Sequence, residues 1–294
     1  MKALLVVNGF LQQQKFQEIY EWLCGAGKKQ GVFFQICTNE QLLVSIQKGI
    51  LERKRELEEY AFVLFWDKDI LLAKALESMG MPVFNNSFSI EACDNKALTH
   101  FYLSQHKIPM PDTIITPMTY ENIGYGSMKF LDHVVDKLGL PLVVKESFGS
   151  FGQQVYLCRN REELEKRVKE LQGRSFLFQR FVETSAGRDV RLQVVGKRVV
   201  AAMERRAKDG DFRANITNGG TMKQYVPTKE QEELAVKCCE ILQADFAGVD
   251  LLFGENGESY VCEVNSNAHF KNIYDCTNVN TADSIVSCIL EKIK

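Results

Sequence analysis

Residues 247–267 read AGVDLLFGENGESYVCEVNSN, two apolar runs joined by Gly254-Glu255-Asn256-Gly257. That tetrapeptide between β-type segments is a strong hairpin signal. A four-residue turn pairs Phe253 with Glu258, and therefore Asp250 with Val261. Strand side chains alternate between faces with a period of two. Glu263 and Asn265 then share a face with Val261, and so with Asp250. Two carboxylates and one amide oxygen form an all-oxygen set of the kind that holds a hard cation such as magnesium, with phosphates and water completing the shell. Acids on an exposed strand face are the plainer reading. The surrounding residues of GVDLLF and YVCEVN are apolar, however, and a buried carboxylate needs a cation partner.

Working outward, Val143-Val144-Lys145 is followed by Glu146-Ser147-Phe148-Gly149-Ser150-Phe151-Gly152-Gln153. A strand that delivers a lysine to a small Gly/Ser loop suits a triphosphate. The lysine supplies a point charge, and glycine lets backbone N–H groups approach closely. It is not a Walker A loop, since no G-K-[ST] follows and the next element is a strand; taken alone, such a loop is usually only a turn. A basic set stands between these two signals. Asp189, Arg191 and Gln193 alternate on one strand, with Arg205, Arg206, Lys208, Arg213 and Asn215 in or around the next connection. Arginine forks suit carboxylates and phosphates and stabilise charge that develops during phosphoryl transfer. Lys208 and Arg206 read as solvated loop charges.

The first third alternates strand and helix. Strands are expected at residues 3–8, 32–37, 61–66 and 82–84, with a charged helical stretch at 51–59 and a helix at 70–79. Phe16, Ile19, Tyr20 and Leu23 carry helical spacing. This alternation implies a parallel sheet covered on both faces. The first turn, Asn8-Gly9-Phe10-Leu11-Gln12, lacks the glycines of a dinucleotide fingerprint, which disfavours a dehydrogenase. The middle third holds a helix over 95–105 with Asp94 as its N-cap, a helix near 130–138, and a β–loop–β–α–β segment over 142–180. The last third is longer stranded, at 190–195, 198–204, 247–253 and 259–264, with helices at 229–242 and 281–293. The boundaries fall at 1–90, 91–182 and 183–294, and the three parts read as one cooperative unit.

The totals agree with a soluble protein. The 294 residues are 45% hydrophobic and 25% charged, with a formal net charge of −2. No basic tail is present, which argues against nucleic acid or an anionic membrane as partner. The nine cysteines are odd in number and scattered without a C-x-x-C pair, so they read as reduced core thiols. No signal peptide or spanning segment is visible, and a cytoplasmic location is expected. The four histidines show no metal spacing.

Asp94–Lys96, PLVVKESFGSFGQQV, FLFQRFVETSAGRDVRLQVVGKRVVAAMERRAKDGDFRANITNGG and AGVDLLFGENGESYVCEVNSN occur in this order. Together they resemble the RimK-like branch of the ATP-grasp ligases over about residues 85–275. The run R-D-V-R…E-R-R-A-K-x-G-D-F-R-x-N carries the most specific part. The resemblance implies a mixed α/β and α+β chain: the ATP-grasp fold, two α+β lobes closing over ATP, preceded by a parallel pre-ATP-grasp α/β domain. It implies that Lys96 and Lys145 contact the ATP phosphates, and that the loop with Ser147, Gly149, Ser150 and Gly152 closes over them. Gln179, Arg180, Phe181 and Val182 would hold adenine, mainly through backbone groups, with Asp189 near the nucleotide. Asp250, Glu263 and Asn265 would hold Mg2+ or Mn2+, as two ions. Arg213 would bind the phosphate side and the acyl-phosphate, with Arg191, Arg205 and Asn215 completing the catalytic set.

The implied reaction joins a carboxylate substrate to an amine, an amino acid, through an acyl-phosphate. Dimers and tetramers are common in the branch. A nucleotide-binding regulator without turnover and an ATP-grasp kinase are the other readings. Two departures stand out. Arg180 replaces an acidic hinge residue, and Asn267-Ala268-His269-Phe270 replaces a Ser/Ala-Pro-Gly turn beside the substrate site.

Overall fold

Residues 3–7 and 63–66 are buried throughout, which requires strands covered on both faces. The computed structural model describes residues 1–52, 54–149, 152–208, 210–214 and 219–294. In it, β1 (Lys2–Val7), β2 (Phe33–Thr38), β5 (Val63–Trp66) and β6 (Val83–Phe84) form a parallel sheet in the order β2-β1-β5-β6. Helix α1 (Gln14–Lys29) buries Ile19, Tyr20 and Leu23 against it, as their spacing requires, and α2 (Ile70–Ser78) covers the sequence between β5 and β6. The expected helix over 51–59 does not form. Ile50–Leu51 (β4) pairs with Ile46–Gln47 (β3), only Arg55–Glu59 makes a 3-10 turn, and Arg53 lies outside the described residues. Leu57 is the one residue of that turn that is buried, so a full helix there has no apolar stripe to bury.

The middle part opens with two helices where one was expected. Helix α3 (Ser87–Asp94) is capped by Asn86 and α4 (Lys96–Ser104) by Asn95, whose side chain accepts from the N–H groups of Ala97 and Leu98. Asp94 is therefore the end of α3 rather than the cap of the next helix, and its carboxylate pairs with Lys68. An antiparallel sheet follows: β7 (Thr113–Ile115), β8 (Leu142–Glu146), β9 (Val155–Cys158) and β10 (Phe176–Arg180), in the order β7-β10-β8-β9. Helices α5 (Phe130–Leu138) and α6 (Arg161–Glu170) bury Leu131, Val134, Leu164 and Val168 over one face.

The last part is an antiparallel sheet of β11 (Arg188–Val195), β12 (Arg198–Arg206), β13 (Thr221–Gln224), β14 (Phe246–Phe253) and β15 (Ser259–Asn265), ordered β13-β12-β11-β14-β15. Helix α7 (Lys229–Ile241) starts at a capping box between Thr228 and Gln231 and packs on one face. After β15 the chain ends in α8 (Lys271–Thr277) and α9 (Thr281–Lys292). One core joins the first and last parts: Leu5, Leu23 and Trp66 pack with Phe246, Phe270 and Ile285. The Trp66 ring stacks on Phe246 at 5.6 Å and meets Phe270 edge-on at 5.7 Å. All nine cysteines are free, and no described helix is long and apolar enough to cross a membrane.

Candidate active site

The hairpin register differs from expectation in a way that preserves its consequence. Phe253 pairs with Ser259 rather than Glu258, and a bulge follows between Asp250 and Leu251, so Asp250 lies opposite Glu263 rather than Val261. Each event shifts the pairing by one residue. Two shifts restore the original face, because strand orientation repeats every two residues. Asp250 and Glu263 thus face each other directly, and Asn265 lies on the same face opposite Gly248.

Adjacent strands add the arginines in register. Arg191 on β11 lies opposite Asp250, and Asp189 lies opposite Arg205 on β12. Arg191 donates from Nε to Asp250 Oδ1 and from Nη2 to Oδ2, both at 2.7 Å. Arg205 donates from Nε and Nη2 to Asp189 at 2.7 and 2.6 Å, and its Nη2 lies 2.8 Å from Asp250 Oδ2. Two carboxylates and two guanidiniums therefore alternate in a buried, charge-balanced row. Burial works against ionisation of Asp250, whose side chain is 5% exposed, but the Arg191 and Arg205 charges outweigh it and bring the carboxyl to about 2. Asp189 shares Arg205 with that stronger acid, and burial pushes it upward. Arg205 loses to burial but is held well above its usual range by Asp189 and Asp250.

Two lysines reach the same strand from the middle lobe. Lys145, at the end of β8, donates to Cys262 Sγ at 3.4 Å, and Lys96, at the start of α4, lies 3.3 Å from Glu263 Oε1. The glycine loop is held by one of these lysines at one end and by Arg213 at the other. Lys96 Nζ donates to the Gly149 carbonyl at 3.1 Å, and Arg213 Nη1 donates to the Gly152 carbonyl at 2.9 Å. Arg213 is itself aimed by Asp211, which accepts from its Nε at 3.0 Å. A Cβ at Gly149 would come within 2.5 Å of Gln154 Oε1 at a φ of +147°, so glycine is required there. Ser150 and Asn215, two of the expected site residues, lie outside the described residues.

Other expected residues sit apart from this convergence. Ser147 is fully buried, with its hydroxyl on Ser175 Oγ at 2.7 Å. Gln179 is buried, and its amide donates to Thr113 and toward His100 Nε2 at 2.9 Å. Arg180 turns outward to Asp112 and the Lys137 carbonyl. Phe181 meets Phe212 edge-on at 6.1 Å, and Val182 ends the connection before a 3-10 turn at Glu183–Ser185. Sequence reasoning passed over Cys262 and Asp211, and read His100 as a structural or surface residue. Cys262 had a visible signal in its position next to Glu263, and His100 in its i+4 spacing from Lys96. The His-Phe departure is also resolved. Asn267 donates to the Asp67 carbonyl at 2.7 Å, His269 Nε2 lies 2.8 Å from the Lys15 carbonyl, and Phe270 enters the shared core.

Residues 93–289 match the model of the RimK-like ATP-grasp domain. The chain belongs to the RimK-like ATP-grasp family. An uncharacterized protein of Mycoplasma genitalium is 33% identical to it over 230 residues, 77% of this chain and 79% of the relative. N-acetylaspartylglutamate synthase A of Homo sapiens is 35% identical over 208 residues, 69% of this chain. The chain spans about half (51%) of that longer protein. Two solved structures share the fold. A RimK domain ATP-grasp protein of Sphaerobacter thermophilus has a TM-score of 0.73 at 20% identity, covering 97% of this chain and 98% of its own. The ATP-grasp ligase PsnB, solved with a precursor variant, Mg and ADP, has a TM-score of 0.71 at 15% identity, covering 100% and 99%. The RimK-like match begins at residue 93, so it takes in both lysines, the glycine loop and the charged row, and leaves out the parallel sheet.

Proposed function

We propose that this RimK-like ATP-grasp protein is an ATP-dependent carboxylate–amine ligase that makes an amide bond through an acyl-phosphate. One observation carries the reading: Lys96 and Lys145 converge on the strand that sets Glu263 opposite Asp250. Two cationic groups suited to a triphosphate thus stand beside a carboxylate pair, and Lys96 also holds the Gly149 carbonyl of the glycine loop.

Asp250, Glu263 and Asn265 would hold Mg2+ or Mn2+. The fit rests on their chemistry: all three side chains offer oxygen, and all share one face of the hairpin. When bound, the cation supplies charge neutralisation at the phosphates. Lys96 and Lys145 hold the β- and γ-phosphates, and the loop from Ser147 to Gly152 covers them. The adenine lies against the lobe connection at Gln179–Val182, near Asp189. The substrate carboxylate attacks the γ-phosphorus in line, the bond to the bridging oxygen breaks, and ADP departs. Arg213 steadies the acyl-phosphate. The amine then attacks the acyl carbon, Arg191 or Arg213 stabilises the tetrahedral oxyanion, and phosphate leaves as the amide forms. No enzyme nucleophile takes part. Arg205 keeps Asp189 and Asp250 aligned.

The human relative's name joins N-acetylaspartate to glutamate. That supports an amino acid as the amine and a small acid, peptide or protein carboxylate as the acceptor. Incubation with ATP, Mg2+ and a panel of acids, with hydroxylamine as trapping amine, tests the reading. A hydroxamate with ADP and phosphate is expected. A stable phosphorylated product with ADP would make the protein a kinase, and ATP binding with no ADP from any acid would make it a nucleotide-binding regulator.

A further inference from the structure

Asp250, the deepest of the three oxygen donors, has both of its oxygens engaged before any metal arrives. Oδ1 accepts from Arg191 Nε, and Oδ2 is shared between Arg191 and Arg205. A carboxylate offers about four lone-pair positions, and three are taken. A divalent cation cannot enter beside two guanidiniums at hydrogen-bond distance without strong repulsion, so one fork must leave.

The two arginines are not equally held. Arg205 is clamped by Asp189 through both Nε and Nη2 and touches Asp250 with a single nitrogen. Arg191 rests its whole fork on Asp250 and has no other acceptor among the described residues. The Arg191 side chain passes Gly248, where a Cβ would lie 3.4 Å from its Nε and 2.6 Å from the Ala268 Cβ, so glycine leaves room for both. Two residues along, Gln193 is 1% exposed, and neither its Oε1 nor its Nε2 has a partner among the described residues. Period-two alternation puts Gln193 on the Arg191 face, where Oε1 is an unused acceptor and Nε2 an unused donor. A buried amide left open on both atoms is uncommon and points to a partner not yet in place.

Resting on the metal reading above, we infer that Arg191 is a displaceable lock on the metal carboxylate. A cation takes Asp250 from the fork, Arg205 stays with Asp189, and the released guanidinium moves beside Gln193. There the two side chains form a receptor for the carboxylate or acyl-phosphate oxygens of the substrate. The lock makes binding ordered, with cation and nucleotide first and the anionic substrate second. It also keeps Asp250 ionised and satisfied while the site is empty.

The test is Mn2+ binding to the full chain without nucleotide, followed by loss of the free-ion EPR signal, with thermal unfolding as a control for folding. Arg191→Lys keeps the charge and loses the bidentate fork. It should bind Mn2+ about tenfold more tightly than the native chain, the size expected for weakening a charge-assisted hydrogen-bond pair. Asp250→Asn should lose the site. Tightening absent in Arg191→Lys, with binding lost in Asp250→Asn, would overturn the lock and leave the metal site standing. Unchanged binding in Asp250→Asn would overturn both. In the native chain, Mn2+ should also speed labelling of Arg191 by phenylglyoxal, read by mass spectrometry; slower or unchanged labelling contradicts release of the fork.

Discussion

Glu263 is more open than Asp189 or Asp250, with its side chain 28% exposed and, among the described residues, one close cation, Lys96, at 3.3 Å. Removing it should therefore spare the fold and strike the chemistry. Glu263→Ala is expected to lower metal-dependent turnover about 100-fold or more, since charge stabilisation by the cation is worth several kcal/mol. Its unfolding free energy should change by no more than about 1 kcal/mol, as for other partly exposed pairs. Steady-state kinetics and urea unfolding on one preparation check both halves.

His100 makes a pH prediction. Its Nδ1 lies 2.8 Å from the Lys96 carbonyl and its Nε2 2.9 Å from the Gln179 amide nitrogen, so the ring is neutral with the proton on Nδ1. Burial, and then the Lys145 charge, bring it from its ordinary 6.5 to about 4. The unfolded chain therefore binds the extra proton between those two values, and stability falls as pH drops through that window. The loss contributed by this one group approaches about 3 kcal/mol near the lower value. Thermal unfolding from pH 7 to 4.5 should slope downward in the native chain and less so in His100→Gln. Equal slopes would remove His100 as the cause. At this scale the shared face of Asp250, Glu263 and Asn265 and the approach of both lysines to it were legible, because their spacing is tied to strand period and to the loop. The commitments of Ser147, Gln179 and Arg180 were not, since a polar side chain's partner depends on neighbours far along the chain.

At the scale of elements, the charged row is written across three strands. Asp189 and Arg191 on β11 meet Arg205 on β12 and Asp250 on β14. Arg205 has a side chain 11% exposed and serves two carboxylates. Arg205→Met leaves both buried and under-compensated, and should destabilise the chain by about 3–5 kcal/mol. Its neighbour Arg206 is 54% exposed and shares Glu204 with Arg188 and Lys223. Arg206→Met should cost no more than about 1 kcal/mol. Paired urea titrations decide it, and similar losses in the two variants would contradict the assigned burial of the row.

Long apolar or periodic elements, such as β1, α1, α5 and β14, were readable from sequence because one face must be buried. Helix α3 was not, since Ser87, Ser89 and Cys93 supply much of its buried face and do not read as an apolar stripe. The hairpin register was missed by two steps that cancel in their effect on side-chain direction, which is why Asp250, Glu263 and Asn265 still share one face. The Asp94 cap was wrong because Asn95, one residue on, offers its side-chain oxygen to two N–H groups.

Across the whole molecule, the parallel sheet is bound to the site by the residues that depart from the usual family turn. Asn267 and His269 reach carbonyls of the first part, and Phe270 lies between Trp22 and Trp66, at 6.0 and 5.7 Å. Phe270→Ala should cost about 3–5 kcal/mol, the usual loss for an emptied aromatic core position. Trp22 and Trp66 are the chain's two tryptophans, so the fluorescence change on urea unfolding reports this junction. Unchanged stability would mean that the first and last parts do not share a core. That the parts form one cooperative unit was expected from sequence, but the residues that join them were not, since the replaced turn showed only as a bulky His-Phe pair.

The central claim is that one divalent-cation–triphosphate complex sits where Lys96, Lys145, Asp250, Glu263 and Asn265 meet. Crystals grown with Mn2+ and a non-hydrolysable ATP analogue test it directly through anomalous scattering from manganese. The expected result is a manganese peak bounded by the oxygens of Asp250, Glu263 and Asn265, with the γ-phosphate against Lys96 and Lys145. A nucleotide bound with its manganese anywhere else on the chain would contradict the account.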